Sequence, residues 1–115
     1  MIETRALGAI TVLQLHGPLA AGREDAALRQ AIRLAFEGGA RTVILDMQDV
    51  PSIDSSGVAA LASGHMTAAN RDGRLKLCNL PKKLRDVFAV MRLDAVFDAY
   101  ETEAAAIASV EIPRA

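Results

Sequence analysis

The chain is predicted to be an α/β fold, a mixed sheet of four to five strands with helices mainly on one face. Three observations carry this. Thr42-Val43-Ile44-Leu45-Asp46-Met47 is short, apolar and rich in β-branched residues, the pattern of a fully buried strand. Two strand-like segments open the chain, and helical and strand patterns then alternate. Pro18, Pro51 and Pro81 all fall in the connections left between these segments.

A first strand near Ile2 to Leu7 pairs, through the Gly8-Ala9 turn, with Ile10-Thr11-Val12-Leu13-Gln14-Leu15. Gly17-Pro18 breaks the pattern. Leu28, Ala31, Ile32, Ala35 and Phe36 mark the core face of a helix that Gly38-Gly39 terminates. The strand at 42–47 follows, then a loop from Asp49 to Ser52 and a helix opening near Ser55. Along that helix Val58, Leu61, Ala62, His65, Met66 and Ala69 recur at helical spacing. Asp72-Gly73 signals a turn into the alternating segment Arg74-Leu75-Lys76-Leu77-Cys78. Pro81 precedes a helix with Leu84, Val87, Phe88 and Met91 on one face. Ala95-Val96-Phe97-Asp98 is expected as a short last strand, Glu101 to Val110 as a final helix, and Ile112 to Ala115 as a tail.

The 115 residues suit one domain over 1–115. Hydrophobic content is 51% but aromatics are only 3%, so the core must rest on Ala, Val, Leu and Ile between closely approaching elements. Lys and Arg number 13 against 14 Asp and Glu, which lacks the clustered basic charge of a nucleic-acid binder. No apolar stretch reaches membrane-span length and no signal sequence opens the chain. A soluble cytoplasmic domain without membrane insertion is expected. Cys78 is the single cysteine, which leaves no intramolecular disulfide and no multi-cysteine metal site. No G-x-x-x-x-G-K-[ST] loop is present, which leaves nucleotide binding by the standard route unsupported, and neither a cofactor nor a metal is expected.

Asp54-Ser55-Ser56-Gly57 lies where the loop turns into the helix. Asp or Ser there can cap the free N–H groups of the first turn. The same groups, with the helix dipole, offer a seat to an anion, including a phosphate carried on a serine. Projected back along the helix, Ser55 falls toward the apolar side and Ser56 on the exposed side. A cap residue has non-helical dihedrals, so the projection alone does not choose between the serines. Gly57 is expected to admit a close backbone approach, for a partner or for internal packing.

In its order of segments the chain resembles a STAS domain, the family of bacterial anti-sigma-factor antagonists and sulfate-transporter tails. The residues that carry the likeness are Gly17-Pro18-Leu19, Val43-Ile44-Leu45-Asp46, Val50-Pro51-Ser52-Ile53-Asp54-Ser55-Ser56-Gly57-Val58, Gly73 to Cys78, and Leu93-Asp94-Ala95-Val96-Phe97. The resemblance spans nearly the whole chain. It implies phosphorylation of Ser55, the serine after the aspartate, by a partner-switching anti-sigma factor kinase, and reversal by a serine phosphatase. It implies a partner-binding surface of Asp54, Ser55, Ser56 and Gly57 with Gly17 and Leu19. Many antagonists carry an acidic residue shortly after the early glycine, where this chain reads Gly17-Pro18-Leu19-Ala20. The alternative within the family is a cytoplasmic STAS subunit of a membrane transport complex.

Other polar residues read more simply. His16 and His65 invite a Ser–His–Asp hydrolase, but no G-x-S-x-G elbow surrounds either serine, so no enzyme is expected. His65 belongs to the helical stripe and reads as a packed or boundary histidine. Asp46 reads as a solvated carboxylate at a strand end, and Cys78 as a small core residue. Lys82, Lys83 and Arg85 read as a solvated face, with an acidic partner patch as the alternative.

Overall fold

The computed structural model describes residues 2–111. The tail expected at 112–115 lies outside the described residues. Strands β1 (Ile2–Leu7) and β2 (Ile10–His16) form an antiparallel hairpin, with Leu7 opposite Ile10. Gly8 makes the turn at φ +62°, a conformation that suits glycine. The chain continues through α1 (Arg23–Glu37), β3 (Thr42–Asp49), α2 (Ser55–Asn70), β4 (Arg74–Cys78) and α3 (Lys82–Val90). A 3-10 turn at Leu93–Ala95, β5 (Asp98–Tyr100) and α4 (Glu103–Glu111) complete it. The five strands lie in sequence order, β1-β2-β3-β4-β5, and the β2–β3, β3–β4 and β4–β5 pairs are parallel.

Alternation along the strands divides the core in two. Leu13 and Leu15 of β2, Val43, Leu45 and Met47 of β3 and Leu75 and Leu77 of β4 pack in one cluster. Leu28, Ile32 and Phe36 of α1, Leu61 of α2 and Leu84 and Phe88 of α3 belong to the same cluster, so three helices cover this face. The other face is thinner: Ile10, Val12, Ile44 and Cys78 lie under Ala106 and Ile107 of α4. β3 is covered on both faces, which explains its apolar stretch Val43-Ile44-Leu45.

Four expectations about the elements need correction. The buried face of α2 is Gly57, Ala60, Leu61, Gly64 and Ala68, while Met66 is 59% exposed and Ala62, His65 and Ala69 are also exposed. The helix lies so close to α1 that small residues fill the contact; a Cβ on Gly64 would stand 2.6 Å from Ile32 Cδ1. A periodicity weighted toward large apolar residues therefore points to the wrong side. The last strand lies at Asp98–Tyr100, not 95–98, and α4 begins at Glu103 rather than Glu101. Val96 and Phe97 both donate their N–H groups to the Leu93 carbonyl, at 3.0 and 2.9 Å, so turn bonds claim the backbone a strand would need. Met91 is 52% exposed, so the core face of α3 rests on Leu84 and Phe88.

Candidate functional site

β2 and β3 are parallel neighbours, and the loops that leave them run on side by side. The Gly17 N–H donates to the Asp49 carbonyl at 3.0 Å, the Leu19 N–H to Ser52 O at 3.0 Å, and the Asp54 N–H to Leu19 O at 3.2 Å. Leu19 and Ile53 form an isolated parallel bridge, which carries the sheet pairing to the threshold of α2. Gly17 allows this path with φ +92°. Leu19 is buried at 4% exposure beneath it.

Asp54 is the N-cap of α2, with an extended backbone at φ −109°, ψ −175°. Its Oδ1 accepts the Gly57 N–H at 2.9 Å, and its Oδ2 accepts the Ala21 N–H of the neighbouring loop at 3.1 Å. One carboxylate thus closes the first turn of the helix and ties the two loops together. These bonds, from Gly57 first and Ala21 second, hold the carboxyl below the usual carboxylate range.

Gly57 is buried, and a Cβ there would lie 2.3 Å from the Leu19 carbonyl oxygen and 2.7 Å from Ile53 Cγ1. Between the two roles expected for this glycine, the contact is internal packing. Ser55 is exposed and Ser56 half-buried, the reverse of the helical projection. The buried face is set by Gly57, Ala60 and Leu61, so Ser56 sits above Ala60 on the inner side. Ser55 heads the outer side with Ala59 and Ala62, both exposed. Of the six residues expected at a partner surface, Leu19 and Gly57 are therefore interior. Asp54 and Ser55 face solvent, and Gly17 and Ser56 are partly covered. Among the described residues nothing hydrogen-bonds the Ser55 hydroxyl.

His16, at the root of the first loop, had no sequence signal for its role. Its Nε2 lies 2.7 Å from Glu3 Oε2 on β1 and its Nδ1 3.0 Å from Asp49 Oδ2 on β3. It joins three strands below the Gly17–Leu19 loop. Only the strand register, with β2 between β1 and β3, brings these carboxylates together.

The remaining polar residues lie elsewhere. Asp46 is no solvated strand end, because β3 continues to Asp49; it is 6% exposed and accepts from the Gln48 N–H at 3.1 Å and Asn79 Nδ2 at 3.2 Å. Cys78 is buried on β4, and burial first, then Asp46, pushes its thiol up to about 12, so the sulfur stays protonated. His65 is exposed and meets the edge of Phe97 at 6.0 Å. Lys82, Lys83 and Arg85 are exposed, with Lys82 paired to Asp86 at 2.9 Å. Among the described residues no group of three His, Cys, Asp or Glu could hold a metal ion. No helix among them is long and apolar enough to cross a membrane.

Solved structures share this arrangement. The unphosphorylated form of SpoIIAA, an anti-sigma factor antagonist, superposes with a TM-score of 0.74 at 25% identity, over 96% of this chain and 97% of that one. The phosphorylated form of SpoIIAA, a Bacillus cell fate determinant, gives 0.73 at 26% identity, over 96% and 100%. TM1081 from Thermotoga maritima reaches 0.88 at 18% identity, over 96% and 95%. A sulfate transporter family protein from Wolinella succinogenes reaches 0.80 at 19% identity, over 91% and 87%. The last two likenesses concern the fold alone. No curated protein matches the chain significantly in sequence. The STAS domain family model matches residues 1–106, and the chain belongs to that family.

Proposed function

We propose that residues 1–115 act as one STAS domain, a cytoplasmic anti-sigma-factor antagonist whose binding to an anti-sigma factor serine kinase is switched off by phosphorylation of Ser55. A serine phosphatase reverses the modification. The protein is the substrate in this cycle and not itself an enzyme. The observation that carries the reading is the exposed Ser55 at the first position of α2, on a turn braced by Asp54. Relatedness to SpoIIAA, a protein with both an unphosphorylated and a phosphorylated form, supports it.

The physics of the switch is local. A phosphoserine adds about −1.5 to −2 charges and several acceptor oxygens. The first-turn N–H groups and the helix dipole favour this charge, while the neighbouring Asp54 carboxylate opposes it. Since Ser55 faces solvent, the group is accommodated without moving the core. An acidic or apolar partner surface seated over the turn meets instead a desolvated dianion. Asp54, Ser55, Ser56 and Gly17 are the residues a partner would meet, with Leu19 and Gly57 holding the loops in shape beneath.

The alternative, a STAS subunit of a membrane transport complex, would leave Ser55 unmodified. Affinity capture from the native cytoplasm, with mass spectrometry of the partners and of Ser55, separates the two. Recovery of a kinase with the unmodified form, and of a Ser55-phosphorylated form without it, is expected. Recovery of transporter subunits with Ser55 unmodified would replace the switch with the transport reading.

A further inference from the structure

A cavity of about 570 Å³ opens at the carboxyl ends of the parallel strands, bounded by Gln48 of β3, Asn79 just past β4 and Tyr100 of β5. Ligands of α/β sheets gather at this edge, and the volume is that of a small-molecule site. The lining is chemically divided. Leu80 and Ala99 give it an apolar wall, Arg85 of α3 brings a cation, and Asp94 and Glu101 bring two anions.

Two of its polar groups are already engaged. The Asn79 amide donates to Asp46 at 3.2 Å, and the Tyr100 hydroxyl lies between Lys76 and Asp98, at 3.2 and 3.0 Å. Recognition then falls to Gln48, Arg85, Asp94 and Glu101. Among the described residues Arg85, Asp94 and Glu101 make no ion pair, although they border the same space. A simple anion drawn to Arg85 would meet two carboxylates, and a simple cation drawn to those would meet Arg85. A molecule carrying both charges satisfies both ends.

We propose that this cavity binds a small zwitterion with an apolar body, of the class of an apolar α-amino acid or dipeptide. Its carboxylate would pair with Arg85, its ammonium with Asp94 and Glu101, and its side chains would rest on Leu80 and Ala99. The site is separate from Ser55 and does not depend on the switch reading.

The test is an amide NMR titration of the full chain with phenylalanine, leucine and the Leu-Phe dipeptide. Controls are the dipeptide acetylated at its amine, amidated at its carboxylate, and blocked at both ends. Saturable shifts at Gln48, Tyr100 and Glu101 are expected, with a dissociation constant on the order of 0.1–1 mM. Blocking both ends should weaken binding at least ~10-fold. Arg85→Met should weaken the free dipeptide but have little further effect on the amidated one, since both changes remove the same pair. Arg85 is exposed, so this substitution leaves the fold intact, which circular dichroism checks. Failure of all three probes to saturate, shifts mapping elsewhere, or equal affinity of the free and doubly blocked dipeptides would overturn the proposal.

Discussion

Gly57 and Leu19 meet backbone to backbone: a methyl group on Gly57 would lie 2.3 Å from the Leu19 carbonyl oxygen. That oxygen accepts the Asp54 N–H, so it cannot retreat without breaking the pairing of the two loops. Gly57→Ala should therefore lose about 3 kcal/mol, the upper end for overpacking, despite the ~1 kcal/mol that alanine gains in helix propensity. Gly64 is the control. Its nearest obstacle is the end of the Ile32 side chain at 2.6 Å, which can turn aside. Gly64→Ala should stay within about 1 kcal/mol of the parent. Urea unfolding of both variants checks this, and similar midpoints for the two would mean that the loop pair yields as easily as a side chain.

Asp54 makes the stability of the turn depend on pH. Its carboxyl is held below its ordinary value of 3.8 by the N–H groups of Gly57 and Ala21. A depressed folded value means that the ionised form stabilises the fold above pH 3.8 and that this contribution disappears as pH falls through the lower folded value. Asp54→Asn keeps an oxygen for Gly57 but loses the charge. Its deficit in unfolding midpoint should be largest at neutral pH and should shrink under acid. A deficit that is constant down to the acid range would show that the charge contributes nothing.

Lys76 is buried on the α4 face, with its Nζ 2.6 Å from Asp98 Oδ2 and 3.2 Å from the Tyr100 hydroxyl. Burial lowers the ammonium pKa, but the bonds to Asp98 and Tyr100 together outweigh it and leave the value raised above 10.5. The stabilisation is complete below pH 10.5 and fades as pH rises through the raised value. Lys76→Met, an apolar chain of similar reach, should be within about 1 kcal/mol of neutral. Asp98→Ala leaves the ammonium only the Tyr100 hydroxyl and should be worse, by about 1–2 kcal/mol, less than for a fully enclosed pair because Asp98 is half exposed. Chemical denaturation of both proteins measures the order, and Lys76→Met proving the more damaging would reverse the argument.

What the sequence revealed follows from which contacts are local. β3 was readable because a strand covered on both faces is predominantly apolar, and the hairpin because Gly8-Ala9 separates two strand-like segments. The Asp54 cap was readable because a cap acts within four residues. The inner face of α2 was not, because Gly57, Ala60, Gly64 and Ala68 pack by being small, which a hydrophobic pattern undervalues. That error also reversed Ser55 and Ser56. The displaced last strand reflects a choice between turn and sheet bonding at Val96 and Phe97 that apolarity does not decide. His16 between Glu3 and Asp49, and Asp54 reaching Ala21, depend on neighbouring strands and loops and have no trace in local sequence.

Ser55 offers the sharpest test of function. It is exposed at the first position of α2, and Ser56 is partly covered beside it. Incubation with the cognate kinase and ATP should label the parent and Ser56→Ala, while Ser55→Ala should stay unlabelled. Ser55→Asp should keep its stability, since a negative charge in the first turn gains about 0.3–1 kcal/mol from the helix, partly offset by Asp54. Its affinity for the kinase should fall nonetheless. A loss of ~3 kcal/mol on full phosphorylation would weaken binding more than a hundredfold, enough to release a submicromolar partner. Aspartate carries less charge than phosphoserine and lacks its shape, so the substitution should reproduce only part of this. Calorimetric titration of the kinase with unmodified and fully phosphorylated protein provides the decisive comparison. Equal affinities would leave Ser55 as an ordinary first-turn residue of a capped helix.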